Sequence, residues 1–147
     1  MTSLGNVGGR VPLVLFLLRI SVFLVLLMWV LDKAVNPAHA IKVFESFYGV
    51  GGVGTALVYG LGVIQFVIVL GFVTGVLKPW TYGAVLVMHG FSTVVGFRQY
   101  LDPFTGPNLL FFAAWPMLAA CFALFYLRDL DTLWVLGKPP AGRKLNT

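Results

Sequence analysis

Four long apolar stretches are the feature that most restricts what this chain can fold into. They occupy about residues 11–31, 53–77, 80–97 and 108–127. A helix needs about 20 mostly apolar residues to cross a bilayer, because every backbone polar group must be paired inside the span. Of the 147 residues, 59% are hydrophobic and only 10% are charged. The sequence therefore predicts an all-α fold, an integral membrane four-helix bundle that forms a single transmembrane domain.

The connections between the stretches differ in length and composition. Only residues 77–80 join the second and third stretches, which predicts a tight antiparallel hairpin. The first connection has an asparagine-proline helix start and then apolar residues at helical spacing, so a short interfacial helix is predicted over 37–48. Pro116 is expected to kink the fourth stretch. Residues 137–147 are predicted to form a polar tail.

The distribution of lysine and arginine predicts the orientation. One side of the membrane would carry six of them, Arg10, Lys78, Arg128, Lys138, Arg143 and Lys144, and the other side three, Lys33, Lys42 and Arg98. The positive-inside rule then places both termini and the hairpin in the cytoplasm, in a multi-pass protein of the plasma (inner) membrane. Because the basic residues are mostly spread singly, they do not indicate nucleic-acid binding.

A cleaved signal peptide is the alternative reading of the first stretch, with a cleavage site near the triplet at residues 38–40. The long polar stretch between the apolar run and that triplet favours a retained span instead.

Three polar residues interrupt the apolar stretches. Arg19 lies ~13 Å along a helix from Arg10 at ~1.5 Å per residue, and a charge near the bilayer centre costs at least ~2.5 kcal/mol. His89 is equally far from Trp80, and Gln65 lies near the middle of its stretch. All three are therefore expected to meet in one layer inside the bundle.

Two interpretations of this layer are open. In the first, Arg19 holds an anionic or carbonyl group, His89 exchanges a proton, and Ser92 extends the same polar face, a setting that suits a quinone head group. In the second, Arg19, Gln65 and His89 hydrogen-bond one another and only hold three helices together.

A second polar group lies at the opposite end of the predicted bundle. Arg98 is expected to pair with Asp32 or Asp102, while Tyr100 and Phe104 pack on the surface helix and roof a ligand entrance at lipid head-group depth. The alternatives are interfacial anchoring and a surface helix that faces only lipid. The candidate ligand-binding residues are therefore Arg19, Gln65, His89, Ser92, Arg98 and Asp102.

Metal and dithiol chemistry are not indicated. The chain has two histidines, one cysteine and five carboxylates, which the predicted topology places at different depths. A single cysteine permits neither an internal disulfide nor a dithiol pair. No catalytic residue is assigned, the chain is not expected to be a stand-alone enzyme, and a quinone is the one cofactor that the polar layer suggests.

Several short motifs resemble those of the DoxX family of small four-helix membrane proteins. They are Leu17-Leu18-Arg19-Ile20, then Lys33, then Leu61-Gly62 ahead of Gln65, and the hairpin at Lys78. The resemblance covers about residues 13–130 and implies a four-span bundle. It also implies association with redox complexes at the membrane, such as the quinone-linked subunit of thiosulfate oxidation and accessory proteins of oxidative-stress defence.

The expected function is a small integral membrane subunit of a redox or respiratory assembly that binds a quinone or lipid-like ligand. Its expected partners are the lipid bilayer and either other membrane subunits or a second copy of the chain. The alternative is a non-catalytic assembly or anchoring subunit that packs against a larger complex. A small-molecule transporter is disfavoured, because four spans without paired discontinuous helices offer little for alternating access.

Overall fold

The structure, a computed structural model, describes residues 9–137. Its helices are α1 (Val11–Val35), α2 (Pro37–Val43), a π-helical turn (Phe44–Tyr48), α3 (Thr55–Thr74), α4 (Lys78–Val95), α5 (Phe97–Leu101), a 3-10 helix (Asn108–Ala113) and α6 (Ala114–Tyr126). The all-α prediction is confirmed for these residues, which contain no strand. The predicted tail, apart from Gly137, lies outside the described residues.

Three helices between residues 9 and 137 are long and apolar enough to cross a membrane: α1, α3, and the continuous 3-10 and α6 helix over residues 108–126. Helix α4 is 18 residues long but is not among them, because its sequence is more polar. The polar side chains of α4 are Lys78, Thr81, Tyr82, His89, Ser92 and Thr93.

These four long helices enclose one apolar core. Helix α1 packs on α3 and α6, and α4 packs on the same two helices. Leu15, Val22, Leu26 and Val30 recur on one face of α1 at the spacing of a helix and face buried residues of the other three helices. The outward faces carry large exposed apolar side chains, which is the pattern expected where lipid is the solvent.

The core has two ends. The hairpin end comprises the start of α1, the end of α3, the start of α4 and the end of α6. There Gly75 (φ +68°) and Leu77 (φ +49°) take left-handed conformations and reverse the chain between α3 and α4. The surface-helix end comprises α2, the π-helical turn, α5 and the adjoining helix termini.

The surface helix, α2 with the π-helical turn, occupies the stretch where an interfacial helix was predicted. Its start is capped by the side chain of Asn36, which accepts a hydrogen bond from the His39 backbone at 3.3 Å. Its end is at Gly49, which has φ of +66°. Pro116 lies in the first turn of α6, where a backbone N–H needs no helical partner. The departure from α-helical geometry in this stretch is the 3-10 helix that precedes α6.

Candidate functional site

Arg19 is completely buried at the hairpin end. Its Nη1 donates hydrogen bonds to Tyr82 Oη and to Asp131 Oδ2, both at 3.2 Å. The Tyr82 hydroxyl donates to the same Asp131 oxygen at 2.7 Å. Arg19 Nη2 donates to the carbonyl oxygens of Leu133 at 2.5 Å and Trp134 at 3.2 Å. A buried ion pair therefore compensates the charge that interrupts the first apolar stretch.

The partner of Arg19 is supplied by the C-terminal segment, defined here as residues 127–137. Helical side chains lean toward the N-terminus of their helix, so Arg19 reaches toward the start of α1, where this segment crosses the hairpin end. Lys78 Nζ donates to the carbonyl oxygens of Arg128, at 3.2 Å, and of Asp131. The Leu136 backbone N–H donates to the Thr74 carbonyl at 2.8 Å.

The C-terminal segment fits closely against the hairpin. A Cβ atom added at Gly75 would lie 2.6 Å from Val135 Cγ1 and 3.3 Å from Arg19 Nη1. Trp134 has φ of +53°, a conformation uncommon for a bulky residue. Its carbonyl is bound by Arg19, and its ring lies 6.0 Å from that of Phe16. These contacts hold the segment in one arrangement.

The buried ion pair of Arg19 and Asp131 joins distant parts of the chain. Asp131, like Arg19, has no exposed surface. Breaking a buried pair by removing one partner typically costs about 3–5 kcal/mol, because an uncompensated charge remains buried. Lys78 lies at the start of α4, ahead of its apolar part, and burial lowers the pKa of its ammonium group while Asp131 opposes that shift.

The predicted layer of Arg19, Gln65 and His89 is not formed. His89 Nε2 donates to the Ala114 carbonyl at 3.0 Å and so joins α4 to α6. Gln65 is half-buried, and no hydrogen bond connects it to Arg19. The reason is geometric: Arg19 reaches Tyr82, and His89 lies seven residues farther along α4, or ~10 Å at ~1.5 Å per residue.

Sequence reasoning missed Asp131 as the partner of Arg19. It also missed Tyr82, whose hydroxyl accepts a hydrogen bond from the guanidinium. A signal was present, because Asp129 and Asp131 are carboxylates that the predicted topology places on the same side as the start of α1.

Two adjoining cavities open at the surface-helix end. The apolar groove has a volume of about 520 Å³ and is lined by Phe44, Phe47, Tyr48, Val50, Val53, Leu57, Phe91, Val94, Val95 and Phe97. The polar cavity has a volume of about 240 Å³ and is lined by Glu45, Ser46, Phe47, Tyr48, Gly49, Val95, Phe97, Arg98 and Gln99. Four residues, Phe47, Tyr48, Val95 and Phe97, line both, so the two spaces are adjacent.

The surface helix is held in place by contacts with the long helices. The Tyr48 hydroxyl hydrogen-bonds Ser92 Oγ at 3.1 Å, and its ring lies 5.6 Å from that of Phe91. The Phe47 ring lies 5.5 Å from that of Phe111. Phe44 packs beside a small buried cluster of Ala40, Val53 and Val58. The surface helix therefore forms a wall of the groove and does not lie wholly in lipid.

The predicted ion pair of Arg98 is wrong. No described carboxylate lies within ion-pair distance of Arg98. Asp32 instead contacts His39, with 2.7 Å between Oδ2 and Nδ1. Asp102 is exposed, and its backbone carbonyl accepts a hydrogen bond from Asn108 Nδ2 at 2.8 Å.

The predicted packing of Tyr100 and Phe104 on the surface helix is also wrong. The Tyr100 ring packs on Phe112 and Trp115, at 5.3 and 5.6 Å between centroids. Phe104 is 89% exposed. Because α5 follows α4 directly and contacts the 3-10 helix, Tyr100 is on the side of α6. Arg98 and Gln99, rather than Tyr100 and Phe104, lie near the surface helix, since they line the polar cavity together with its residues.

No family model, curated protein or solved structure matches the chain. Within residues 9–137 there is also no group of three or more histidine, cysteine or acidic side chains placed to hold a metal ion. Of the six candidate ligand residues, Arg98 lines the polar cavity and Ser92 bonds its wall, whereas Arg19 and His89 bond within the protein.

Proposed function

We propose that the protein is a small integral membrane subunit that binds an amphiphile, a quinone or a lipid-like molecule, at the surface-helix end. The observation that carries this proposal is an apolar groove directly beside a polar cavity, with four residues lining both. The groove volume of about 520 Å³ is within the usual range of ligand pockets, roughly 300–1,000 Å³. A head group in the cavity would leave the tail in the groove.

The direction of the two spaces supports a membrane ligand. The polar cavity lies beside the end of α4, at Val95, Arg98 and Gln99. The apolar groove extends back along α4 to Phe91, one helical turn or ~6 Å deeper at ~1.5 Å per residue. A molecule lying in both would have its head group at the helix ends and its tail beside the apolar faces.

Helix α4 is proposed to be the fourth span. Its less apolar composition is accommodated because its polar side chains bond within the protein, Tyr82 to Asp131, His89 to Ala114 and Thr93 to the His89 carbonyl. A polar side chain satisfied in this way does not need water. The exposed face of α4 carries Val87, Phe91 and Val94 instead.

The hairpin end is proposed to be cytoplasmic. Arg10, Lys78 and Arg128 lie at this end, and Lys33, Lys42 and Arg98 lie at the other; Lys138, Arg143 and Lys144 fall outside the described residues. In intact cells a membrane-impermeant thiol reagent should label Lys42→Cys, and it should label Leu77→Cys only after permeabilisation. If only Leu77→Cys were labelled in intact cells, the hairpin end would face the outside and the proposed orientation would be wrong.

The place of the protein in a redox or respiratory assembly rests on the resemblance to the DoxX family. The polar cavity offers hydrogen-bond donors that suit a quinone carbonyl, namely Arg98, the amide of Gln99 and the hydroxyl of Ser46. Other membrane subunits, or a second copy of the chain, would pack on the exposed apolar faces.

The composition of the native complex after gentle detergent extraction tests this function. A quinone or lipid retained at about one molecule per chain is the expected result. A stoichiometric membrane protein partner with no retained amphiphile would contradict it and would favour the alternative, a non-catalytic anchoring subunit.

A further inference from the structure

The polar cavity contains two opposite charges that have no partners in the described part of the chain. Glu45 and Arg98 both line it and both are exposed. Neither forms an ion pair with another residue between 9 and 137. Gln99 also lines this cavity, and its side-chain amide can donate a hydrogen bond there.

We propose that the polar cavity binds the head group of a zwitterionic aminophospholipid. Arg98 binds the phosphate, since a guanidinium matches phosphate oxygens in charge and geometry. The primary ammonium group donates to the Glu45 carboxylate. This inference rests on the proposed function and names the chemical class of the ligand.

Charge complementarity distinguishes this head group from others. A quinone carries no cation for Glu45, and phosphatidylglycerol offers it only an uncharged hydroxyl. A choline head group has a positive charge but no N–H, so it cannot donate a hydrogen bond to Glu45. A protonated amine beside a phosphate complements Glu45 and Arg98 together.

The groove makes a lipid, rather than a soluble phosphorylated amine, the source of the head group. Phe47, Tyr48, Val95 and Phe97 line both spaces, so the cavity lies directly beside the apolar groove. An acyl chain placed there buries apolar surface that would otherwise be open, at roughly 25 cal/mol for each Å² removed from water.

A competition experiment in vesicles tests the inference. The full chain is reconstituted in equal amounts of phosphatidylethanolamine, phosphatidylcholine and phosphatidylglycerol with identical acyl chains, and is then re-extracted in mild detergent. Native mass spectrometry counts the retained lipids. Phosphatidylethanolamine should be enriched over each of the others on the order of tenfold, as expected for one hydrogen bond to a charged group.

Matched variants assign the effect to the cavity. Glu45→Gln should remove most of the preference for phosphatidylethanolamine, and Arg98→Gln should lower retention of all three lipids. Lys42→Gln, on the same surface helix but not lining the cavity, should change neither. Equal retention of the three lipids by the unaltered protein would overturn the head-group inference and leave amphiphile binding standing. Absence of any retained amphiphile would overturn both.

Discussion

Replacing Arg19 by leucine is expected to destabilise the protein by about 3–5 kcal/mol, the cost of leaving one member of a buried ion pair unpaired. Asp131 would keep only the hydrogen bond from Tyr82, and the carbonyls of Leu133 and Trp134 would lose their donor. Lys42→Leu is the matched control, because Lys42 is exposed on the surface helix. Its effect should stay within about 0.5 kcal/mol.

The free energy of unfolding in detergent micelles, measured for both variants, checks this expectation. The double variant Arg19→Leu/Asp131→Leu should be more stable than Arg19→Leu, because it leaves no uncompensated charge. If Arg19→Leu unfolded no more easily than Lys42→Leu, the buried pair would not be holding the C-terminal segment. If the double variant were no more stable than Arg19→Leu, the loss of stability would come from altered packing and not from the unpaired charge of Asp131.

This arrangement makes the first span depend on the last described segment. Arg19 and Asp131 are separated by 112 positions in the chain. The contacts of Gly75 with Val135 and of Leu136 with Thr74 join the same segment to the hairpin. The hairpin end is therefore held together by these contacts, whereas the cavities lie at the opposite end of the four long helices.

The helices could be predicted from the sequence because their signals are local. Long apolar runs mark α1 and α3, and Asn36 with Pro37 marks the start of the surface helix. The burial of Arg19 could be predicted for the same reason, since a charge inside an apolar run must face away from lipid.

The partners of the polar residues could not be predicted, because they depend on where segments distant in the sequence pack against the helices. Asp131 follows the last apolar stretch, and its position is set by close packing of the C-terminal segment on Gly75. Asp32 was a reasonable partner for Arg98 by topology alone, but His39 lies only seven positions away in the chain. The cavities arise from several elements at once, and no local pattern encodes them.

Filling the apolar groove is expected to abolish most ligand binding. Val94 lines the groove and is 68% exposed, so the indole of Val94→Trp would occupy space that the ligand tail needs. Val87 is the matched control, a valine on the same helix that is 71% exposed and does not line the groove. Val87→Trp adds the same bulk and apolar surface elsewhere.

The amount of amphiphile retained per chain by Val94→Trp and Val87→Trp, after identical gentle extraction, tests amphiphile binding most directly. We expect Val94→Trp to retain at least about tenfold less than the unaltered protein, equivalent to about 1.4 kcal/mol of binding free energy. Val87→Trp should retain the full amount. Equal retention by the two variants would contradict a binding site in the groove.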